Sequence, residues 1–207
     1  MKHKLMPHAC ALAALLAATQ AHALDWTLLG DVQRNGDAVA LTTAYDDADE
    51  GPFNLSGTPA AWIDQVEAAA GVAQGALDLP DEPAYEGSVA RTTFTVAAGD
   101  TLTFNWSFAT QETLFQDRAF AVVNGQLFTL ATRAGAVPGS GSFSITFASP
   151  GTATLAVGVV DTGDVLGVSS LNVRDVTLAP VPEPAAWALW LGGAAALAGL
   201  RRLRRQR

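Results

Sequence analysis

Between residues 101 and 108 every second side chain is large and apolar: Leu102, Phe104, Trp106 and Phe108 fall on one side, with Thr101, Thr103, Asn105 and Ser107 on the other. A period of two held over this stretch predicts a strand with one buried face. It also assigns Phe104 and Trp106 to a core rather than to a sugar-stacking surface. Residues 92–96 alternate in the same way and lead into that strand through the turn Ala98-Gly99-Asp100. Residues 119–123 and 126–132 flank Asn124-Gly125, the dipeptide best suited to a tight hairpin because both positions accept positive φ. Residues 142–147, the turn Ser149-Pro150-Gly151, and residues 152–160 and 171–178 continue the series. Many short strands without a β-α-β rhythm predict a mainly β fold, an antiparallel sandwich or jelly roll.

The first part of the chain is patterned less strongly. Trp26 and Leu28, then Val39 and Leu41, alternate with polar neighbours on either side of Asn35-Gly36-Asp37, which predicts a strand, a turn and a second strand. Residues 46–52 read Asp-Asp-Ala-Asp-Glu-Gly-Pro. That loop lacks the spaced ligand pattern of an EF-hand and reads first as a solvated turn, with a metal loop as the alternative. Thr58-Pro59 ahead of residues 60–70 predicts one short helix, stopped by Gly71, with Ile63, Val66 and Ala70 on one face. Residues 75–87 carry Pro80, Pro83 and several acids, and read as a surface loop.

Both ends have a different character. Residues 1–4 are basic, residues 9–19 are apolar, and Ala21-His22-Ala23 is a small-x-small site. This order predicts a secretory signal peptide over residues 1–23, cleaved after Ala23. At the other end, Val181-Pro182-Glu183-Pro184 precedes an apolar run at 185–200 and the arginines Arg201, Arg202, Arg204, Arg205 and Arg207. As a helix that run spans roughly 24 Å, a little short of a ~30 Å hydrocarbon layer. Leu203 and snorkelling arginines close much of the gap, so a C-terminal transmembrane helix is expected, with the arginines as a cytoplasmic stop. The intervening segment, 24–180, is long enough for one domain.

Setting the two ends aside changes the chemistry available. Residues 24–180 contain no Lys, His or Cys, and hold 19 acids against Arg34, Arg91, Arg118, Arg133 and Arg174, a formal charge of 5 minus 19, or −14. Nucleic acid is excluded as a partner, because phosphate binding needs clustered Lys and Arg. Ser-His-Asp, Cys-His and Schiff-base catalysis need side chains this segment lacks. Zinc is disfavoured for the same reason. Carboxylate chemistry survives, as a glycosidase-like acid pair or as an oxygen-ligand calcium site. With no disulfide available, an apolar core must hold the segment together.

The order of Pro-Glu-Pro, apolar run and arginines resembles the tripartite PEP-CTERM sorting signal of Gram-negative bacteria. That resemblance implies export through the inner membrane, transient residence there, and an exosortase that recognises Val181, Pro182, Glu183 and Pro184 and cuts nearby. Donor-poor X-Pro backbone cannot retreat into a helix, which suits a protease cleft. The segments G-A-L-D (75–78), E-G-S-V-A (86–90), T-F-T-V-A-A-G-D-T-L-T-F-N-W-S-F-A-T-Q-E (93–112), D-R-A-F-A-V-V-N-G (117–125) and G-V-V-D-T-G-D (158–164) further resemble a recurrent ectodomain of PEP-CTERM proteins. This second resemblance covers roughly residues 63–178. It implies a secreted β-sandwich at the cell surface or in the exopolysaccharide matrix, without a defined activity. The chain departs from it at L-N-V-R-D-V (171–176), where such domains often read L-x-V-D-N-V.

The function expected from these readings is a non-enzymatic cell-surface or matrix protein, with extracellular polysaccharide as a partner. The alternatives are a calcium-dependent carbohydrate-binding module and a carboxylate-based glycosidase. Glu112, Asp117, Asp161 and Asp164, with Asp175, lie near strand ends and are the candidate calcium ligands. The competing reading makes Asp100 and Asp164 turn formers and lets Glu112 and Asp117 bound a loop. Trp26, Trp62, Tyr45 and Tyr85 are the aromatic candidates for sugar contact, and no spacing places them together.

Overall fold

The computed structural model describes residues 24–133 and 138–180, with Gly193 alone beyond them. The chain begins with β1 (Thr27–Leu29), β2 (Asp31–Asn35), β3 (Ala38–Thr42) and the short β4 (Ala61–Trp62), which runs directly into α1 (Ile63–Ala70). Seven longer strands follow: β5 (Ala84–Val96), β6 (Thr101–Thr110), β7 (Asp117–Val123), β8 (Gln126–Arg133), β9 (Gly139–Thr146), β10 (Gly151–Thr162) and β11 (Ser169–Ala179). They form two antiparallel sheets. One has the order β1-β5-β10-β7-β8, with β4 also on β5, and the other the order β2-β3-β11-β6-β9.

The alternation read from the sequence is what joins the sheets. Leu102, Phe104 and Phe108 point inward from β6 and meet Leu41, Leu171 and Val173 of their own sheet and Leu155, Val157 and Val159 of the other. Trp106 packs half-buried against this core, in the space left by Gly141 opposite it. Opposite parity on β5, β7 and β10 turns Val89, Phe120, Val122, Ala156 and Val160 outward, where they are covered by Val66 and Ala70 of α1 and by Leu77. One sheet is therefore buried on both faces. Among the described residues, both clusters and all eleven paired strands lie within 24–180.

Local signals account for the turns. Asn124 (φ 51°) and Gly125 (φ 80°) both adopt the left-handed conformation that a two-residue hairpin needs, joining Val123 to its partner Gln126. Gly71 (φ 78°) ends α1, its N–H bonding the carbonyls of Glu67 and Ala68.

Three sequence expectations are corrected. The expected first strand is divided at Gly30 (φ 83°), which sends β1 to one sheet and β2 to the other; a Cβ there would collide with Ser88. The helix starts at Ile63, not near Thr58, because Ala61 and Trp62 pair with Gly87 and Glu86 of β5. The loop expected over 75–87 ends early, since β5 is already in register with β10 from Ala84. Among the described residues no helix is long and apolar enough to cross a membrane. The signal segment 1–23, the motif Val181 to Pro184, the apolar run 185–200 apart from Gly193, and the arginines after it lie outside the described residues.

Candidate functional site

At one end of the sandwich the inward-facing positions change from apolar to acidic. On β5 the inward series is Ala90, Ser88, Glu86, and Glu86 stands directly opposite Asp161 of β10. On the other side of β10, Val160 pairs with Arg118, so Asp161 and Asp117 occupy the next position together. Glu86, Asp161 and Asp117 thus form a row across three adjacent strands, each with 1% of its surface exposed. Cross-strand neighbours have Cβ atoms about 4.5–5.5 Å apart, and like charges facing each other there are destabilising. At an effective dielectric constant near 20, two full charges ~5 Å apart repel by about 3 kcal/mol.

The three carboxyl groups are supported unequally. Asp117 Oδ2 accepts hydrogen bonds from the hydroxyls of Ser169 (2.6 Å) and Thr110 (2.9 Å) across the sheet interface, and Oδ1 accepts the Thr162 N–H (3.3 Å). Burial still outweighs these donors and raises Asp117 to about 6. Glu86 and Asp161 have no hydrogen-bond donor on any of their four carboxyl oxygens. Burial pushes Glu86 up to about 7; the Tyr45 hydroxyl tempers the rise, while Glu50 and Asp47 add to it. Asp161 is raised well above its ordinary value by burial first and then by Asp117, with Glu86 and Glu50 adding and the Thr43 hydroxyl opposing. Those two hydroxyls stand beside the acids without meeting hydrogen-bond geometry.

The loop after β3 covers this end. Asp31, fully buried, accepts hydrogen bonds from the Thr42 hydroxyl and from the N–H groups of Leu55 (2.9 Å) and Ser56 (2.7 Å), pinning the far end of the loop. Ser88 links the sheets beside it, donating to the Thr42 carbonyl (2.6 Å) and accepting the Asp31 N–H (2.8 Å). Within the loop, Glu50 accepts the Tyr45 N–H (3.0 Å), and Asp47 accepts the N–H groups of Asp49 and Glu50. Burial and the Glu86 charge push the Tyr45 phenol up to about 12. The Tyr45 ring meets Trp62 edge-on, with centroids 6.4 Å apart. Trp62 is 56% exposed, and Phe53 and Tyr85 are also exposed.

The candidate ligands from the sequence separate into two groups. Asp117 and Asp161 do come together, and Glu112 lies near enough to act on Asp117 electrostatically. Glu112 is otherwise spent on its own loop, its Oε1 accepting the N–H groups of Thr113, Leu114 and Phe115. Asp164 turns its Oδ1 to the Leu166 N–H (2.9 Å), and Asp100 accepts the Ala97 N–H (2.8 Å); both are turn formers. Asp175 lies exposed on β11 of the opposite sheet, bonded to Asn105 (2.9 Å). Among the described residues no three acids converge closely enough to form a ready metal cage. Trp26, an aromatic candidate, is buried at 6% exposure in the main core, whereas Tyr45 and Trp62 are brought together. Glu86 was absent from the candidates because its segment reads as loop; the alternation Glu86, Ser88, Ala90 was the available signal.

A half-open cleft of about 480 Å³ lies elsewhere, between β1, β5 and α1, lined by Asp25, Leu28, Ala69, Val89 and Arg91 among others. Arg91 uses its guanidinium there to bond the Ala69 carbonyl at the end of α1 (3.2 Å). The cleft holds a single carboxylate, short of the acid pair that glycoside hydrolysis requires.

No protein-family model matches the chain, and no curated protein matches it. Among solved structures it is similar to a protein described as "CBM4 structure and function" at 13% identity and a TM-score of 0.34, covering 74% of this chain and 92% of the other. It is also similar to the N-terminal cellulose-binding domain of Cellulomonas fimi β-1,4-glucanase C, at 12% identity and a TM-score of 0.35, covering 76% and 90%. A third is CBM35 from Cellvibrio japonicus Abf62, at 14% identity and a TM-score of 0.32, covering 77% and 100%. Likeness at this level carries no argument about ligand.

Proposed function

We propose that this chain is an exported, non-catalytic surface or matrix module that contacts extracellular polysaccharide through the aromatic edge formed by Trp62 and Tyr45. The observation that carries this reading is Trp62 itself: a large aromatic side chain, 56% exposed and braced edge-on by a tyrosine. A rigid indole with a free face offers large contact area at little conformational cost, as in other aromatic recognition surfaces. The strongly acidic composition of residues 24–180 suits a solvated extracellular setting.

A glycosidase reading is less well supported. Glu86 and Asp161 stand opposite each other on adjacent strands, but each is 1% exposed and lies beside the loop after β3, whose Tyr45, Glu50 and Asp47 act on Glu86. A substrate cannot approach them without displacing that loop. Delivery follows the resemblance at the C-terminus: an exosortase reads Val181 to Pro184 while the apolar run holds that motif at the outer face of the inner membrane. The chain is the substrate in that step.

A polysaccharide-binding screen of segment 24–180 tests the contact. The wild-type segment should retain at least one bacterial or plant polysaccharide, and Trp62→Ala should weaken that binding by about tenfold or more, 1.4 kcal/mol. Binding that is unchanged by the substitution would remove Trp62 from the site. Intact-mass analysis of secreted protein tests delivery, with loss of the residues beyond the Pro-Glu-Pro motif as the expected result.

A further inference from the structure

Among the described side chains the acid row has no positive partner; on the backbone, Arg133 stands opposite Asp117 in the register of β8 on β7. Around Glu86 and Asp161 stand Asp117, Glu50 and Asp47, the phenol of Tyr45 and the hydroxyl of Thr43, with Glu112 beyond Asp117. All are acidic or neutral. The nearest arginine by sequence, Arg118, lies on the opposite face of the sheet and is occupied by Thr129 and by the carbonyls of Ala76 and Asp78. The ion pairs among the described residues, Arg34 with Asp25 and Arg174 with Asp175, lie elsewhere. Four carboxyl oxygens in two side chains at 1% exposure thus face one another with no donor. Leaving such groups uncompensated is costly, and proteins meet that cost with a proton or a cation.

We propose that Glu86 and Asp161 hold a divalent cation of the calcium type between them, at the loop-covered end of the sandwich. The site adjoins the aromatic edge, since Tyr45 stands beside both Glu86 and Trp62 and Trp62 pairs with Glu86 across β4 and β5, but it does not depend on what Trp62 contacts. Calcium accepts irregular sets of oxygen ligands, combining carboxylates with neutral oxygens. Two carboxylates supply the charge here, and Thr43 and Tyr45 place hydroxyl oxygens beside them. Glu50 and Asp47 draw the cation in, since they lie on the exposed acidic loop through which it would enter. Asp117 keeps its three donors and acts as a positioning residue, holding β7, β10 and β11 around the site. Of the five candidate ligands expected from the sequence, only Asp161 is thus retained as a direct ligand.

The test is thermal unfolding and titration calorimetry of segment 24–180, first stripped with EDTA and then supplied with calcium chloride alone. At a calcium concentration near 100 times the dissociation constant, the melting temperature should rise by roughly 5–10 °C for a domain of this size. Calorimetry should show one saturable site per chain. Glu86→Gln and Asp161→Asn each keep the side chain's shape and remove one buried charge, so both should fold in EDTA, and each should abolish the calcium response. Absence of both heat and thermal shift at about 10 mM calcium, tenfold above the weak end of extracellular calcium modules, would overturn the proposal and leave protonation as the way the pair is neutralised. A calcium response retained in both variants would overturn it equally, by placing the cation elsewhere.

Discussion

The buried acids make the cation-free protein sensitive to pH in a direction opposite to that of a domain held by ion pairs. Glu86 rises from an ordinary 4.5 to about 7 on folding. Between those two values the folded state binds more protons than the unfolded state, so stability falls as pH increases. Its favourable contribution is fully present below pH 4.5 and is lost as pH passes through 7. At ~1.36 kcal/mol for each pH unit that separates those values, Glu86 alone accounts for about 3 kcal/mol. Asp117, moving from 3.8 to about 6, acts in the same direction over a lower window. Urea unfolding of segment 24–180 in EDTA, at half-unit steps from pH 4.5 to 8, measures the slope. The general self-repulsion of an acidic domain has the same sign, so Glu86→Gln is the necessary comparison. The amide cannot ionise, and the variant should therefore gain about 2–3 kcal/mol over wild type at pH 7.5 while matching it near pH 4.5. A constant difference across the range would refute the reasoning, because it would mean that Glu86 does not titrate in that window.

Other expectations follow from single side chains. Asp31→Ala removes the acceptor for Thr42, Leu55 and Ser56 and should cost about 2–4 kcal/mol in urea unfolding, with earlier proteolysis in residues 43–58. Gly158→Ala puts a Cβ within 2.7 Å of the Phe120 ring and of the Ser88 carbonyl oxygen, so the unfolding midpoint should fall by the equivalent of about 1–3 kcal/mol. Trp62→Ala should change stability by no more than about 0.5 kcal/mol, as expected for an exposed side chain; a larger loss would make Trp62 a structural residue.

The readable parts of the fold are those in which one short window contains the whole cause. Asn124-Gly125 specifies its hairpin from two residues, and the alternation from Leu102 to Phe108 specifies the buried face of β6 from one strand. Gly71 ends α1 by its own left-handed φ. Gly30 was harder to interpret, because its separation of β1 from β2 depends on Ser88, a residue far along the chain. The acid row poses the same difficulty more sharply. Glu86 and Asp161 face each other only through the register of β5 on β10, and no local spacing encodes that register. Asp164, three residues beyond Asp161, looked equivalent in sequence, yet its carboxylate closes a turn with Leu166. Local composition thus showed that acids gather near strand ends, and strand pairing determined which of them were buried together.

The functional reading is tested most directly by the intrinsic fluorescence of segment 24–180 during titration with a polysaccharide that it retains. That segment contains three tryptophans, Trp26, Trp62 and Trp106; the first is buried, the second largely exposed and the third half-buried. Stacking a sugar on Trp62 moves its indole out of water, so a saturable blue shift is expected, and it should vanish in Trp62→Phe. A saturable spectral change that persists in Trp62→Phe, or polysaccharide binding that leaves the emission of wild type unaltered, would contradict the assignment of Trp62 as the contact.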